Sequence, residues 1–336
     1  MITARLTDNK QGIAKAAAIL KADGIVAIPT ETVYGLAASA YSDSAIAKVF
    51  AAKGRPQDNP LIVHVDSADM LCDVVSEMPE EAKKLAEAFW PGPLTMVLKK
   101  SEKVADSVSR GLSTVAVRMP ENEVAREIIK ASGLPLAAPS ANLSGSPSPT
   151  TANHVIADLD GRIDAVVISG DCTVGVESTV VTLVTDPPRL LRPGAVTAEQ
   201  LKEFLPNLVI DKAVLAEPEK DEQVASPGMK YKHYAPKTEV FLVEGDSAAF
   251  TELVNSKKQA VAICFDEDAK NIKSKALCYG AANDPDTQAQ KIFALLREAD
   301  SLDADAVYVH APEKVGMGLA VYNRLIRAAA FKVIKL

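Results

Sequence analysis

Short clusters hold the side chains of this sequence that could do chemistry. Residues 29–36 read Pro-Thr-Glu-Thr-Val-Tyr-Gly-Leu and follow the apolar run 25–28. In an open α/β sheet, ligands bind beyond the carboxyl ends of strands. Thr30, Glu31 and Thr32 would there suit a small polar ligand, or equally a turn whose hydroxyls satisfy their own backbone. Next come Lys53-Gly54-Arg55-Pro56, Asn59 and His64. Cations at a helix end offset its dipole, and Gly then Pro is an ordinary stop. Lys53, Arg55 and Asn59 on one short loop would also suit a polyphosphate, since arginine offers a planar fork and lysine a point charge. The spacing GxxxxGK[ST] of a P-loop is absent.

Further along stand Ser113, Thr114 and Arg118, the arginine closing an apolar run. It is either a functional cation or a side chain that snorkels to the rim. Residues 139–150 form a Ser/Asn-rich loop with Ser140, Asn142 and Ser148, able to hydrogen-bond a nucleotide or simply to face water. Val176-Glu177-Ser178-Thr179 is followed by Arg192-Pro193-Gly194. Finally, residues 226–236 place Lys230, Tyr231, Lys232, His233 and Tyr234 in a basic, aromatic strip of the kind that contacts nucleic acid or docks in a groove.

Alternating helices and strands must position these groups. Helical spacing follows Asn9 and stops near Gly24. Ser42 or Asp43 can cap a second helix that ends at Gly54. Further helices are predicted over 79–90 and from about Glu121 to Gly133, with a Thr197–Gln200 capping box opening another. Strands are predicted at 25–28, 61–65, 94–98, 115–118, 136–138, 165–168 and 179–184. Composition shifts near residue 207, and 211–237 reads as a linker. A second alternating unit has strands at 240–243, 261–265, 276–279 and 306–309, with helices at 286–299 and 319–330. That pattern predicts a small parallel, Rossmann-like unit, though no GxGxxG fingerprint appears.

The chain has 336 residues and a formal net charge of -7. Its length favours two domains, and its acidity disfavours a protein whose main task is to hold nucleic acid. Cys72, Cys172, Cys264 and Cys278 are scattered without CxxC spacing, so neither a zinc site nor a disulfide framework is indicated. No signal peptide or membrane span is read, so no membrane association and a cytoplasmic location are expected.

In this order the clusters resemble the threonylcarbamoyl-AMP synthase family, also called the YrdC/YwlC family, in its long form. PTETVYGL, KGRPQDNPLIVHV, TVAVRMP, PSANLSG with SPT, and GVESTVV with LRPG carry the likeness to its catalytic domain. PGMKYKHYAP and GLAVYNRLIRAA carry the likeness to the long form. The resemblance implies an α/β protein. A YrdC-like domain with a twisted mixed sheet and a concave cavity would cover 1–207, a linker or lid 208–237, and a smaller Rossmann-like domain 238–336.

It implies threonine contacts at Thr32, His64, Arg118, Ala138 and Ser178. ATP contacts would fall on Lys53, Arg55, Asn59, Thr114, Ser140, Asn142, Ser148, Arg192 and Tyr234. The implied enzyme is a nucleotidyltransferase. It makes threonylcarbamoyl-AMP and pyrophosphate from L-threonine, bicarbonate and ATP, for threonylcarbamoyladenosine modification of tRNA by separate transferase proteins. No protein nucleophile is needed, and Mg2+ would bind mainly through ATP rather than through protein ligands. Two other readings stand beside it: an RNA-binding protein without catalysis, and a carbamoyl-adenylating enzyme of hydrogenase maturation.

Overall fold

The computed structural model describes residues 2–56, 59–216 and 234–336. Helix starts follow the capping chemistry. Asn9 accepts from the Gly12 amide at the head of helix Lys10–Lys21, and Ser42 does the same for Asp43–Lys53. Asn122 caps Glu123–Ser132, and Thr197 with Gln200 forms the expected capping box at Ala198–Phe204. Gly54 ends the second helix at φ 58°, a left-handed conformation natural to glycine, and turns the chain toward Arg55.

The first half of the chain carries β1 (Ala4–Thr7), β2 (Val26–Ile28), β3 (Gly35–Ser39), β4 (Ile62–His64), β5 (Leu94–Lys99) and β6 (Thr114–Arg118). It continues with β7 (Leu136–Ala137), β8 (Ala165–Ile168), β9 (Thr179–Thr182), β10 (Arg189–Arg192) and β11 (Val209–Ile210). They form one sheet in the order β1-β8-β2-β3-β7-β4-β6-β5-β9-β10-β11. It is mixed: β4 pairs parallel with β6, while β5 pairs antiparallel with β6 and β2 antiparallel with β3. The expected mixed sheet is therefore present, with strands β1, β3, β10 and β11 added to those read from sequence. Strands β2 to β7 are buried along most of their length, which their small and branched apolar residues allow.

The second half carries β12 (Glu239–Glu244), β13 (Ala260–Cys264), β14 (Lys275–Cys278), β15 (Ala306–His310) and β16 (Val333–Lys335). All their pairings are parallel, in the order β14-β13-β15-β12-β16, as a Rossmann-like unit requires. Helices Pro285–Ala299 and Gly316–Ala328 pack on each other on one face.

The segment read as a linker is not uniform. Val209–Ile210 is a strand of the large sheet, paired with β10. Lys212–Val214 forms a 3-10 turn with Ala213 and Val214 buried. Asn323 donates to the Val214 carbonyl at 2.6 Å and Arg327 to that of Ala213 at 2.7 Å. Residues 217–233, with most of the basic aromatic strip, lie outside the described residues. Where the description resumes, Tyr234 is buried against Phe293, ring centroids 5.2 Å apart. The two halves share a core: Val33, Val176 and Tyr234 pack in one cluster with Phe293, Ala320 and Tyr322. At Gly175 the approach is backbone to backbone, since a Cβ there would sit 2.4 Å from Gln290 Cα. Among the described residues no helix is long and apolar enough to cross a membrane.

Candidate functional site

One wall of a concave cavity is built where neighbouring strands end together. β4 and β6 run parallel with His64 and Arg118 as register partners at their carboxyl ends. The loop from β2 to β3 lies opposite and carries Thr30 to Val33. Thr30 closes this loop on itself: its hydroxyl accepts from the amides of Thr32 and Val33 and donates to the Val33 carbonyl at 2.6 Å. The local turn reading thus holds for Thr30, and it leaves Thr32 facing Arg118.

Arg118 is buried rather than snorkelling, at 3% exposure. Its Nη1 donates to Thr32 Oγ1 at 2.8 Å, its Nη2 to Glu31 Oε1 at 2.5 Å and its Nε to the Gly92 carbonyl at 3.1 Å. That carbonyl lies in a loop closed by Trp90, whose half-buried indole donates to the Leu94 carbonyl at 2.7 Å. Burial alone would raise the Glu31 carboxyl, but the adjacent Arg118 brings it below its usual range. Burial, reinforced by Arg118, pushes His64 down to about 3, so the imidazole is neutral near pH 7. Its Nδ1 has no partner among the described residues.

The opposite wall comes from β9 and β10. Arg192 Nε donates to the Ser178 carbonyl at 2.9 Å and Nη2 to Ser178 Oγ at 3.1 Å, while Ser178 Oγ also meets Thr95 Oγ1 at 2.8 Å. Arg55, beyond the left-handed Gly54, reaches the rim. Ala138, Pro139 and Ser140 form the floor after β7. Tyr234 closes one side from the second half of the chain, and burial raises its phenol, reinforced by Glu177. The cavity is partly open to solvent.

Of the residues expected for threonine, Thr32, His64, Arg118, Ala138 and Ser178 all line this cavity. Of those expected for ATP, Arg55, Ser140, Arg192 and Tyr234 do so. Lys53 and Asn142 line a smaller recess that shares Arg55, Ser140 and Tyr234 with it. The Lys53 ammonium is turned into the chain: it donates to the Ser140 carbonyl and, at 2.7 Å, to that of Asn142. Burial, with Arg55 nearby, pushes the Lys53 pKa well down. The arrangement makes Lys53 a brace for the 140–142 loop, where its type and position in sequence had suggested a direct phosphate contact. Ser148 points at Glu177 Oε1, 2.5 Å away. Asn59 is buried but does not line the cavity, and Thr114 pairs with Lys99 across β5 and β6.

Sequence reading gave no role to the buried carboxylate of Glu177, although it sits inside a quoted motif, and it offered Glu31 to a small polar ligand where the structure pairs it with Arg118. It also passed over Arg324, whose signal was a charge within an apolar helical run. Among the described residues no group of three or more His, Cys, Asp or Glu could hold a metal ion.

A family profile described as "Telomere recombination", covering Sua5, YciO and YrdC proteins, matches residues 18–194. A second, described as "Threonylcarbamoyl-AMP synthase, C-terminal domain", matches residues 196–330. The chain is 42% identical over 340 residues to a Bacillus subtilis threonylcarbamoyl-AMP synthase, covering 99% of this chain and 97% of that one. It is also 42% identical over 330 residues to a Pyrococcus abyssi protein of the same name, covering 95% and 94%. A crystal structure of P. abyssi Sua5 complexed with L-threonine is similar over 100% of both chains, with 40% identity and a TM-score of 0.91.

Proposed function

Because the chain belongs to the threonylcarbamoyl-AMP synthase family, we propose that this cavity makes L-threonylcarbamoyladenylate and pyrophosphate from L-threonine, bicarbonate and ATP. The observation that carries the proposal is the sharing of one cavity. Thr32, His64, Arg118, Ala138 and Ser178 face the same space as Arg55, Ser140, Arg192 and Tyr234. The relatives of that name favour this reading over RNA binding without catalysis and over carbamoyl adenylation.

The reaction needs positioning and charge neutralisation more than a protein nucleophile. Threonine would enter with its carboxylate on Arg118, whose guanidinium is held by Glu31, Thr32 and Gly92. The amine takes up bicarbonate with loss of water, giving N-carboxythreonine. A carbamate oxygen attacks the α-phosphorus of ATP, the α–β bridging bond breaks, and pyrophosphate leaves. Arg55 and Arg192 would offset the charge on the phosphates, and neutral His64 adds no cation beside Arg118.

Magnesium belongs to this proposal as a companion of ATP. The carboxylate on the cavity wall, Glu177, is engaged by Ser148 and Arg324, so a protein-held ion does not fit this donor set. When bound to the triphosphate the ion would neutralise charge there. The product would supply a transferase that modifies tRNA.

The reaction itself is tested by mass spectrometry after incubation with ATP, threonine, bicarbonate and magnesium. Absence of a threonine-dependent adenylate and of pyrophosphate would sink the assignment.

A further inference from the structure

Besides Tyr234, which lines the cavity, the second half of the chain bears on it from behind through one buried cation. Arg324, in helix Gly316–Ala328, is fully buried. Its Nε donates to Glu177 Oε2 at 2.7 Å, its Nη2 to the Glu177 carbonyl at 2.9 Å and its Nη1 to the Pro193 carbonyl at 2.8 Å. Glu177 directly precedes Ser178, and Pro193 directly follows Arg192. One guanidinium therefore grips both chain segments that carry the cavity-lining Ser178 and Arg192, just outside the bonds those two make with each other.

We infer that Arg324 is a positioning residue for the reaction, setting the Ser178–Arg192 wall from behind. The inference rests on the function proposed above. A simple staple between the halves would need contact anywhere on their shared surface. This contact instead converges on the two segments that line the cavity, and it uses the fork geometry that only arginine offers. Arg324 does not itself line the cavity, so it acts through Glu177 and Pro193. The C-terminal half thereby becomes a fixed wall of the site.

The charge balance supplies a readout that a mere staple would lack. The groups facing Glu177 are Arg324 from the second half, Arg192 at the end of β10, Lys53 from helix Asp43–Lys53, Tyr234 and the Ser148 hydroxyl. Burial would raise the Glu177 carboxyl; Arg324 and then Arg192 bring it below its usual value. Removing Arg324 takes away the largest of these lowering influences, so protonation of Glu177 moves upward in pH.

The test uses the full-length chain and its Arg324→Gln, Arg324→Lys, Glu177→Gln and Arg324→Gln/Glu177→Gln variants. Pyrophosphate release is followed against pH, with ATP binding by calorimetry and melting by circular dichroism. Arg324→Gln should lower kcat about tenfold or more at neutral pH and add an acid limb to the pH profile. The double variant should lose that limb and recover activity toward that of Glu177→Gln, because no unpaired buried charge remains. Arg324→Lys, a cation without the fork, should fall between. Unchanged kcat and pH profile in a folded Arg324→Gln protein would overturn the inference. So would a loss that tracks melting alone and is not relieved in the double variant. Should Arg324→Gln fail to fold, full activity with an unaltered pH profile in both Arg324→Lys and Glu177→Gln would overturn it equally. A wild-type chain that forms no adenylate refutes the proposed reaction instead. Positioning is then read from ATP affinity alone, which Arg324→Gln should weaken and the double variant restore; equal affinity throughout would refute it.

Discussion

Two buried acid–arginine pairs flank the same cavity, and they face it in opposite senses. Glu31 and Arg118 lie 2.5 Å apart, each side chain 4% exposed, and both belong to the large sheet and its loops. Glu177 and Arg324 lie 2.7 Å apart, and their pair crosses between the halves. In the first the guanidinium lines the cavity, and its carboxylate partner is not among the lining residues. In the second the carboxylate lines it and the guanidinium stands behind. Removing one partner of such a pair leaves an uncompensated buried charge, whichever way the pair faces. What differs is use. Arg118 retains donors to spend on an anion, while Glu177 has both oxygens engaged and acts as scaffold.

The sharpest way to break this comparison is Arg118→Ala. It strands Glu31, and the expected loss is about 3–5 kcal/mol of stability, together with threonine-dependent activity. Denaturant unfolding beside pyrophosphate release checks it, and an unchanged midpoint would show that Glu31 does not depend on Arg118. Arg55→Ala should behave differently, because Arg55 sits at the rim beyond a helix end. A cost of about 2–4 kcal/mol in transition-state stabilisation, with unfolding little changed, is expected. Full pyrophosphate release by that variant would remove Arg55 from the phosphate side.

Amino-acid choice probes the Arg118 side more finely. Serine lacks one methyl, which a fitted pocket discriminates by only about 1–3 kcal/mol, and valine lacks the hydroxyl and should be rejected more strongly. Competition assays on kcat/KM decide this, and equal turnover of threonine and valine would defeat it. An effect spread over a span of pH concerns His64. Its pKa falls from 6.5 to about 3 on folding, through burial and then Arg118. Between those values the unfolded chain binds more protons than the folded one, so stability rises with pH across that window. It is lost as pH falls from about 6.5 toward 3, at up to about 1.4 kcal/mol per pH unit from this group. His64→Gln should flatten that part of the curve; an identical acid slope in wild type and variant would contradict it.

Legibility in the sequence followed physical range. Ser42, Thr197 and Gln200 announced their helices because capping is local. That the second sheet is parallel followed from alternation; its strand order and its edge strand β16 did not. Strand β1 was missed because only Leu6 of its residues turns inward, and β11 because two exposed residues carry no pattern. At the site, Arg118 was readable as a charge closing an apolar strand. The direction of Lys53 was not, because nothing in Lys-Gly-Arg says that one cation turns into backbone carbonyls while the next turns to the cavity. The Glu177–Arg324 pair spans 147 residues, and no local rule joins two charges so far apart.

The chain contains a single tryptophan, and it is Trp90, whose indole closes the loop that presents the Gly92 carbonyl to Arg118. An optical signal excited through that indole therefore originates two residues from the carbonyl that orients the guanidinium. The unmodified chain thus carries its own fluorophore on the Arg118 side of the cavity, and no second indole competes with it. Occupancy of that side can be followed in solution without attaching a dye.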